Sequence, residues 1–201
     1  NAHADSFILG GDQVLHGLQL KYRMNSWLLN FTADSKKRIM YASSFGHAND
    51  SNPPETRDKL KKLFKRFDAI SLREESGVKI MQENYGIKNA CTVIDSVFLC
   101  DRSFWQRLAA ESDRHEEKPY LLAYILDPSE KTQDILLEIA KKKNLELVLV
   151  LDGNTLYSDR IKKERGITLA KEGVEAQDFV WYFCHADFVI TDSFHGTCFS
   201  I

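Results

Sequence analysis

The chain has 201 residues, enough for one large or two small domains, and is 43% hydrophobic and 28% charged with a formal net charge of -2. This balance belongs to a globular protein with a substantial core, and it excludes a global nucleic-acid footprint or a tail built for anionic lipid. No apolar run reaches transmembrane length, no signal peptide opens the chain, and Cys91, Cys100, Cys184 and Cys198 show neither close pairing nor a Cys-x-x-Cys spacing, so they read as reduced, mostly buried thiols of a cytosolic protein.

Taken in order, residues 5–9 are a brief apolar run that predicts a strand, ending in Gly10-Gly11-Asp12-Gln13. Two glycines after a strand suit either a tight turn or a close backbone approach to a ligand, and the run is not a Gly-x-Gly-x-x-Gly fingerprint. Residues 38–43 predict a second strand running into Ser43-Ser44-Phe45-Gly46, followed by an exposed loop over 47–54. Leu60, Leu63, Phe64 and Phe67 fall at helical spacing over 56–67, and the lysines and arginines between them read as a solvated face. A third strand over 69–72 ends at Arg73, and a helix over 76–85 stops at Gly86. A fourth strand over 92–95 carries Asp95 at its end, and a helix over 102–112 follows.

The polar run 113–119 predicts a linker, dividing the chain into domains 1–112 and 120–201. Beyond it, residues 120–126 predict a strand, 130–143 a helix with Ile135, Leu136 and Ile139 inward, and 145–151 a nearly all-apolar strand covered on both faces. The less regular stretch 152–173 holds a short strand over 166–170, and 175–186 predicts a helix burying Ala176, Phe179, Val180 and Phe183. It delivers the chain to Phe188-Val-Ile, a buried strand that breaks into Thr191-Asp-Ser-Phe-His-Gly196 and opens a further helix. Strands alternating with helices on both sides of the linker predict two α/β units with mainly parallel sheets.

In such folds ligands bind beyond the carboxyl ends of the strands, where this chain places Gly10, Gly11, Asp12, Ser43, Ser44, Arg73, Asp95, Asp192, Ser193 and His195. The guanidinium of Arg73 suits a carboxylate or phosphate, and an ion pair with Glu74, Glu75 or Asp95 is the equal alternative. His195 is the candidate for proton transfer, since imidazole titrates near pH ~6.5. Asp192 reads either as orienting that ring or activating a hydroxyl, or as a helix cap with Ser193, and Cys198 reads as a buried thiol rather than a nucleophile.

Five stretches in order, Asp5-Ser-Phe-Ile-Leu-Gly-Gly-Asp-Gln-Val14, Tyr41-Ala-Ser-Ser-Phe-Gly46, Ser71-Leu-Arg-Glu-Glu-Ser-Gly77, Ile94-Asp-Ser-Val-Phe-Leu99 and Ala186-Asp-Phe-Val-Ile-Thr-Asp-Ser-Phe-His-Gly196, resemble landmarks of the polysaccharide pyruvyl transferase family. The Ser-Leu-Arg-Glu and Thr-Asp-Ser-Phe-His-Gly segments are the most specific, and the chain departs from the family pattern at Ser96, where proline is frequent. The resemblance implies two Rossmann-like domains facing across a cleft as in GT-B enzymes, no obligatory metal or cofactor, and transfer of pyruvate from phosphoenolpyruvate to a sugar of a surface polysaccharide as a cyclic ketal. It implies donor-associated roles for Arg73 and His195, with Ser193, Phe194, Gly196, Gly10, Gly11, Asp12, Ser44 and Asp95 around the substrates and Asp192 beside His195.

The expected partners are phosphoenolpyruvate and a glycan or lipid-linked acceptor, with no nucleic acid and no integral membrane segment, at a cytoplasmic location or peripheral to the inner face of the membrane. Family members are commonly longer, so the chain is expected to be part of a longer protein. Two alternatives stand beside this reading: a GT-B-type glycosyltransferase using a nucleotide sugar, and a catalytically silent glycan-binding or assembly protein. Acceptor choice is expected to lie in variable loops such as 152–173.

Overall fold

A computed structural model describes residues 4–116, 118–126, 128–151, 167–169 and 174–201. The chain divides into two compact units, Asn1–Leu99 and Cys100–Ile201.

In the first unit β1 (Ser6–Leu9), β2 (Lys37–Ser43), β3 (Ala69–Leu72) and β4 (Cys91–Thr92) pair in parallel in the order β1-β2-β3-β4. Between them run α1 (Gly17–Trp27), α2 (Arg57–Phe64) and α3 (Glu75–Tyr85), with short 3-10 turns at Pro54–Thr56 and Ser96–Leu99. Each new strand is added on the same side, so right-handed crossovers bring all three helices to one face. One core results: Leu9, Met40, Ile70 and Leu72 from the sheet meet Leu20, Met24, Leu60, Phe64, Met81 and Tyr85 from the helices. Gly86 ends α3 at φ 69°, the left-handed cap expected of it.

Helix α1 escapes sequence patterning because its buried residues Leu20 and Met24 alternate with Leu18 and Tyr22, which point outward at 75% and 81% exposure. The fourth strand is shorter than 92–95. Val93 still donates to the Leu72 carbonyl at 2.9 Å, but Ile94 leaves the sheet and Asp95 precedes a 3-10 turn instead of ending a strand.

The second unit comprises α4 (Arg102–Ala109), β5 (Tyr120–Tyr124), α5 (Glu130–Lys143), β6 (Glu146–Val150), β7 (Ile167–Leu169), α6 (Ala176–His185), β8 (Phe188–Thr191) and α7 (Phe194–Phe199). Its parallel strands take the order β7-β6-β5-β8, so the direction of winding reverses between β5 and β8. Both faces are covered, which explains the unbroken apolar runs of β5 and β6. Leu121, Ala123, Leu147 and Leu149 pack with Leu136 and Ala140 of α5, while Leu122, Val148 and Val150 pack with Tyr182 and Phe183 of α6. Ser129 caps α5 through the Thr132 amide, 3.2 Å away, and α6 opens with a reciprocal box between Glu175 and Asp178.

Several expectations change. Helix α4 packs on α6, so the units divide between Leu99 and Cys100, upstream of the 113–119 run. On α5, Ile135 faces outward at 48% exposure, and Gln133 takes an inward place by donating to the Pro128 carbonyl at 2.9 Å. Only Cys198 is buried, Cys100 is half-buried, and Cys91 and Cys184 are exposed. Of the stretch 152–173 only residues 167–169 are described; the rest of that expected acceptor loop, with Gly166 and Ala170 of the expected strand, lies outside the described residues. Among the described residues no helix is long and apolar enough to cross a membrane.

Candidate functional site

The reversal between β5 and β8 is a topological switch point, the place in an open parallel sheet where ligands gather beyond the strand ends. The stretch from Thr191 to Gly196 lies there. The Thr191 hydroxyl donates to the Tyr124 carbonyl at 2.6 Å and accepts from the Ser193 amide at 3.1 Å. Asp192 accepts the Leu126 amide on Oδ1 at 2.9 Å, fixing the loop after β5 against the loop after β8. The N-cap of α7 is therefore Ser193 alone, whose Oγ accepts the Gly196 amide at 3.3 Å. Gly196 is needed for space, since a Cβ there would overlap Thr191 Oγ1 and lie 3.0 Å from Tyr124 Cδ1.

These bonds sort the expected residues. Ser193 is buried, and its hydroxyl and the Gly196 amide are engaged with each other, so their observed part is to build the turn rather than to present donors. His195 is half-buried, with the exposed Phe194 ring edge-on to it at 5.6 Å between centroids. An imidazole in that position can exchange protons with a ligand at the switch point, and Asp192, three residues before it, is exposed.

The first unit brings its expected residues together at the carboxyl edge of its sheet, with no switch point among the described strands. Ser43 Oγ donates to the Gly10 carbonyl at 3.1 Å, and the Ser44 amide donates to the Asp12 carbonyl at 2.9 Å. Ser44 is buried, and its Oγ accepts the Gly46 amide at 2.8 Å, closing the turn. The register of β2 shifts between Met40 and Ser43, where Ala42 has φ 52°. The Ser71 hydroxyl fills that bulge, donating to the Met40 carbonyl at 3.1 Å and accepting the Ala42 amide at 3.3 Å. Gly11 lies against it, with room for a Cβ only 2.9 Å from the Ala42 carbonyl oxygen. Gly10 and Asp12 are exposed, and Asp12 Oδ1 accepts the Gln13 amide at 2.7 Å.

The Arg73 side chain is 6% exposed and makes the ion pair the sequence left open: Nη1 donates to Asp95 Oδ2 at 3.2 Å, and Nε lies 3.8 Å from Glu74 Oε2. Asp95, also buried, accepts the Val97 amide at 3.0 Å, and Glu74 Oε1 accepts the Phe45 amide at 3.1 Å. This network holds the guanidinium at the end of β3 and ties it to the Tyr41–Gly46 landmark. Glu74 and Asp95 are two of the three ion-pair partners that the sequence offered; the bond from the Phe45 amide to Glu74, from 29 residues away, is the part that no local signal announces.

Sequence reasoning also passed over His16 and His47, whose Nε2 atoms lie 3.1 Å apart beside the same edge. They stand 31 residues apart, so no spacing rule could have joined them. Among the described residues no group of three or more histidine, cysteine or acidic side chains forms a metal cluster.

A model of the polysaccharide pyruvyl transferase family matches residues 2–201. No curated protein sequence matches the chain. Among solved structures, it is similar to a glycosyltransferase from Rickettsia africae ESF-5, with 13% identity, a TM-score of 0.43, and coverage of 82% of this chain and 47% of that one. The chain thus spans about half the length of that glycosyltransferase.

Proposed function

The chain belongs to the polysaccharide pyruvyl transferase family, and we propose that it takes part in moving pyruvate from phosphoenolpyruvate to a sugar of a surface polysaccharide, closing a cyclic ketal. The observation that carries the residue assignment is the placing of His195 at the β5/β8 switch point, in a turn built by Thr191, Asp192, Ser193 and Gly196. Ligands of parallel α/β sheets gather at such points, and imidazole is the side chain best matched to proton transfer near neutrality.

In the proposed reaction His195 gives a proton to the methylene carbon of the donor, which becomes a methyl group. The adjacent carbon turns electrophilic, one sugar hydroxyl adds to it and loses its proton, and a second hydroxyl replaces phosphate. One proton ends on carbon and two leave the hydroxyls, one of them departing with phosphate. Asp192, already accepting the Leu126 amide, is assigned to a hydroxyl of the acceptor. Arg73 is assigned to the carboxylate or phosphate of the donor. Asp95 and Glu74 orient its planar fork, and fixed donors are what a strongly hydrated anion requires before it sheds water. Gly10 and Asp12 supply exposed backbone and a carboxylate at the same sheet edge, with Gly11 half-buried between them.

The test is phosphate release from phosphoenolpyruvate across a panel of glycan and lipid-linked acceptors, with mass spectrometry of the product. Acceptor-dependent release with a ketal on the sugar is the expected result. Turnover of nucleotide sugars with no response to phosphoenolpyruvate would replace the reading with a glycosyltransferase one. Glycan binding without turnover of either donor would leave a binding protein.

A further inference from the structure

We propose that His16 and His47 form a two-imidazole site for a divalent transition-metal ion, independent of the pyruvyl-transfer reading. Their Nε2 atoms converge to 3.1 Å, with ring centroids 5.0 Å apart and planes tilted by 59°. Two imidazole nitrogens each 2.0–2.1 Å from one ion stand about 2.8–3.4 Å apart at coordination angles of about 90–110°.

The pair is built rather than incidental. His16 occupies the N-cap of α1, where Ser, Thr, Asp or Asn normally accepts a free helix amide and contributes about 1 kcal/mol. Its side chain makes no such bond, and the Gly17 amide is instead taken by Ser51 Oγ at 3.0 Å, from 34 residues away. A cap position is thus occupied by an imidazole turned to another purpose. Position 17 is glycine because a Cβ would overlap the Ser51 carbonyl oxygen, so the loop carrying His47 is pressed against the start of α1.

That loop is tied down along its length. Asn52 Nδ2 donates to the Leu15 carbonyl at 3.1 Å, and Asp50 accepts from Asn84 at 2.9 Å and from the Tyr85 hydroxyl at 2.8 Å. Gly46, at φ +77°, folds beneath the imidazole; its Cβ would stand 3.3 Å from His16 Cδ2.

Two explanations compete for two ring nitrogens at this distance, a shared proton or a shared cation. One hydrogen bond at an exposed position is worth about 0.5–1.5 kcal/mol and uses one lone pair. A metal ion uses both lone pairs, and imidazole is a preferred ligand of zinc, copper and nickel. Protein supplies two ligands here, because no third histidine, cysteine or acidic side chain joins them among the described residues. The remaining positions fall to water or to a ligand oxygen. Entry is open: His47 is exposed and His16 half-buried.

The experiment is calorimetric titration of the chelator-treated full chain with Zn²⁺, with Cu²⁺ electron paramagnetic resonance as the second measurement. Saturable binding of one ion is expected, weakened about tenfold or more in both His16→Gln and His47→Gln. The Cu²⁺ spectrum is expected to show two coordinated nitrogens. His185→Gln, whose ring stacks on Trp181 in the other unit, is expected to leave the affinity unchanged. Melting curves identify any misfolded variant, and because His47 is exposed its substitution decides the matter if that of His16 unfolds the helix start. No saturable binding by the parent chain, equal affinity in the His47→Gln variant, or a spectrum without two nitrogens overturns the proposal.

Discussion

At Gly196 one carbon atom decides how α7 meets the sheet. The Thr191 hydroxyl that its Cβ would overlap already serves the Tyr124 carbonyl and the Ser193 amide, so it has no alternative position that keeps both bonds. Gly196→Ala is therefore expected to push α7 away from β5 and β8 at a cost of about 1–3 kcal/mol, the range for overpacking a fitted site, read as a lower denaturant midpoint. An unchanged midpoint would show that the turn yields freely. His195 carries the opposite expectation, since its ring is half-buried and glutamine keeps a polar group of similar reach there. His195→Gln should melt within a degree or so of the parent chain, while single-turnover pyruvyl transfer falls by roughly 10²-fold to 10⁴-fold, as for loss of a general acid or base. Normal turnover in the folded variant would remove His195 from the chemistry.

Among the elements, α1 and the loop before α2 depend on each other. Ser51 caps a helix it does not belong to, so Ser51→Ala should lose about 1 kcal/mol and loosen the loop as well as the helix start. Hydrogen exchange is the discriminating measurement: the Gly17 amide should exchange faster, and protection confined to the parent rate would mean that water replaces the serine without loss. In the second unit, α6 is secured by an ion pair. Arg114 Nη2 lies 2.8 Å from Asp178 Oδ2, and Ser112 Oγ donates to Asp178 Oδ1 at 2.6 Å. The Arg114 hydrogen bond, helped by Ser112 and the Glu175 amide and opposed by burial, holds the Asp178 carboxyl below its usual range. A depressed carboxyl stabilises the fold fully above the unfolded value of about 3.9 and stops doing so as pH falls through the lower folded value. Denaturant midpoints should consequently drop between pH 5 and lower pH, and Asp178→Asn should start lower and fall less steeply. A parallel pH profile for the variant would dismiss this pair as a source of the acid sensitivity.

On the scale of the molecule, the place where the chain divides follows from α4. Trp105 meets Phe199 edge-on at 5.0 Å, and Phe199 meets Phe179 of α6 at 5.4 Å, so α4 completes an aromatic layer over β5 and β6. A fragment of residues 100–201 is expected to fold and melt cooperatively, whereas residues 120–201 should expose that layer and aggregate or melt well below it. Equal melting of the two fragments would restore 113–119 as the boundary. The two units also differ in winding. Among the described strands, those of the second unit reverse their order and those of the first do not, so the switch point lies in the second unit, while the first collects its polar residues at a bulged sheet edge.

By itself the sequence determined the alternation of strand and helix, and it did so because period and punctuation are local. β3 at Ala69–Leu72 and α5 at Glu130–Lys143 coincide with their expected limits, and β8 gains only Thr191, because apolar spacing, Ser129 and Asn144 caps and a following Gly or Asp all act within a few residues. The same locality made the ends of the strands legible as a candidate site, Arg73 and His195 among them. Tertiary structure alone decided which of those residues face inward. The ion pair of Arg73 with Asp95 joins positions 22 apart, and Asp192 spends one oxygen on the Leu126 amide 66 residues before it. It alone decided the place of α4, whose partner α6 lies beyond three described strands and a helix, and the meeting of His16 with His47 through a borrowed cap. Contacts of that kind depend on strand order and register, and no residue carries them in its immediate neighbours.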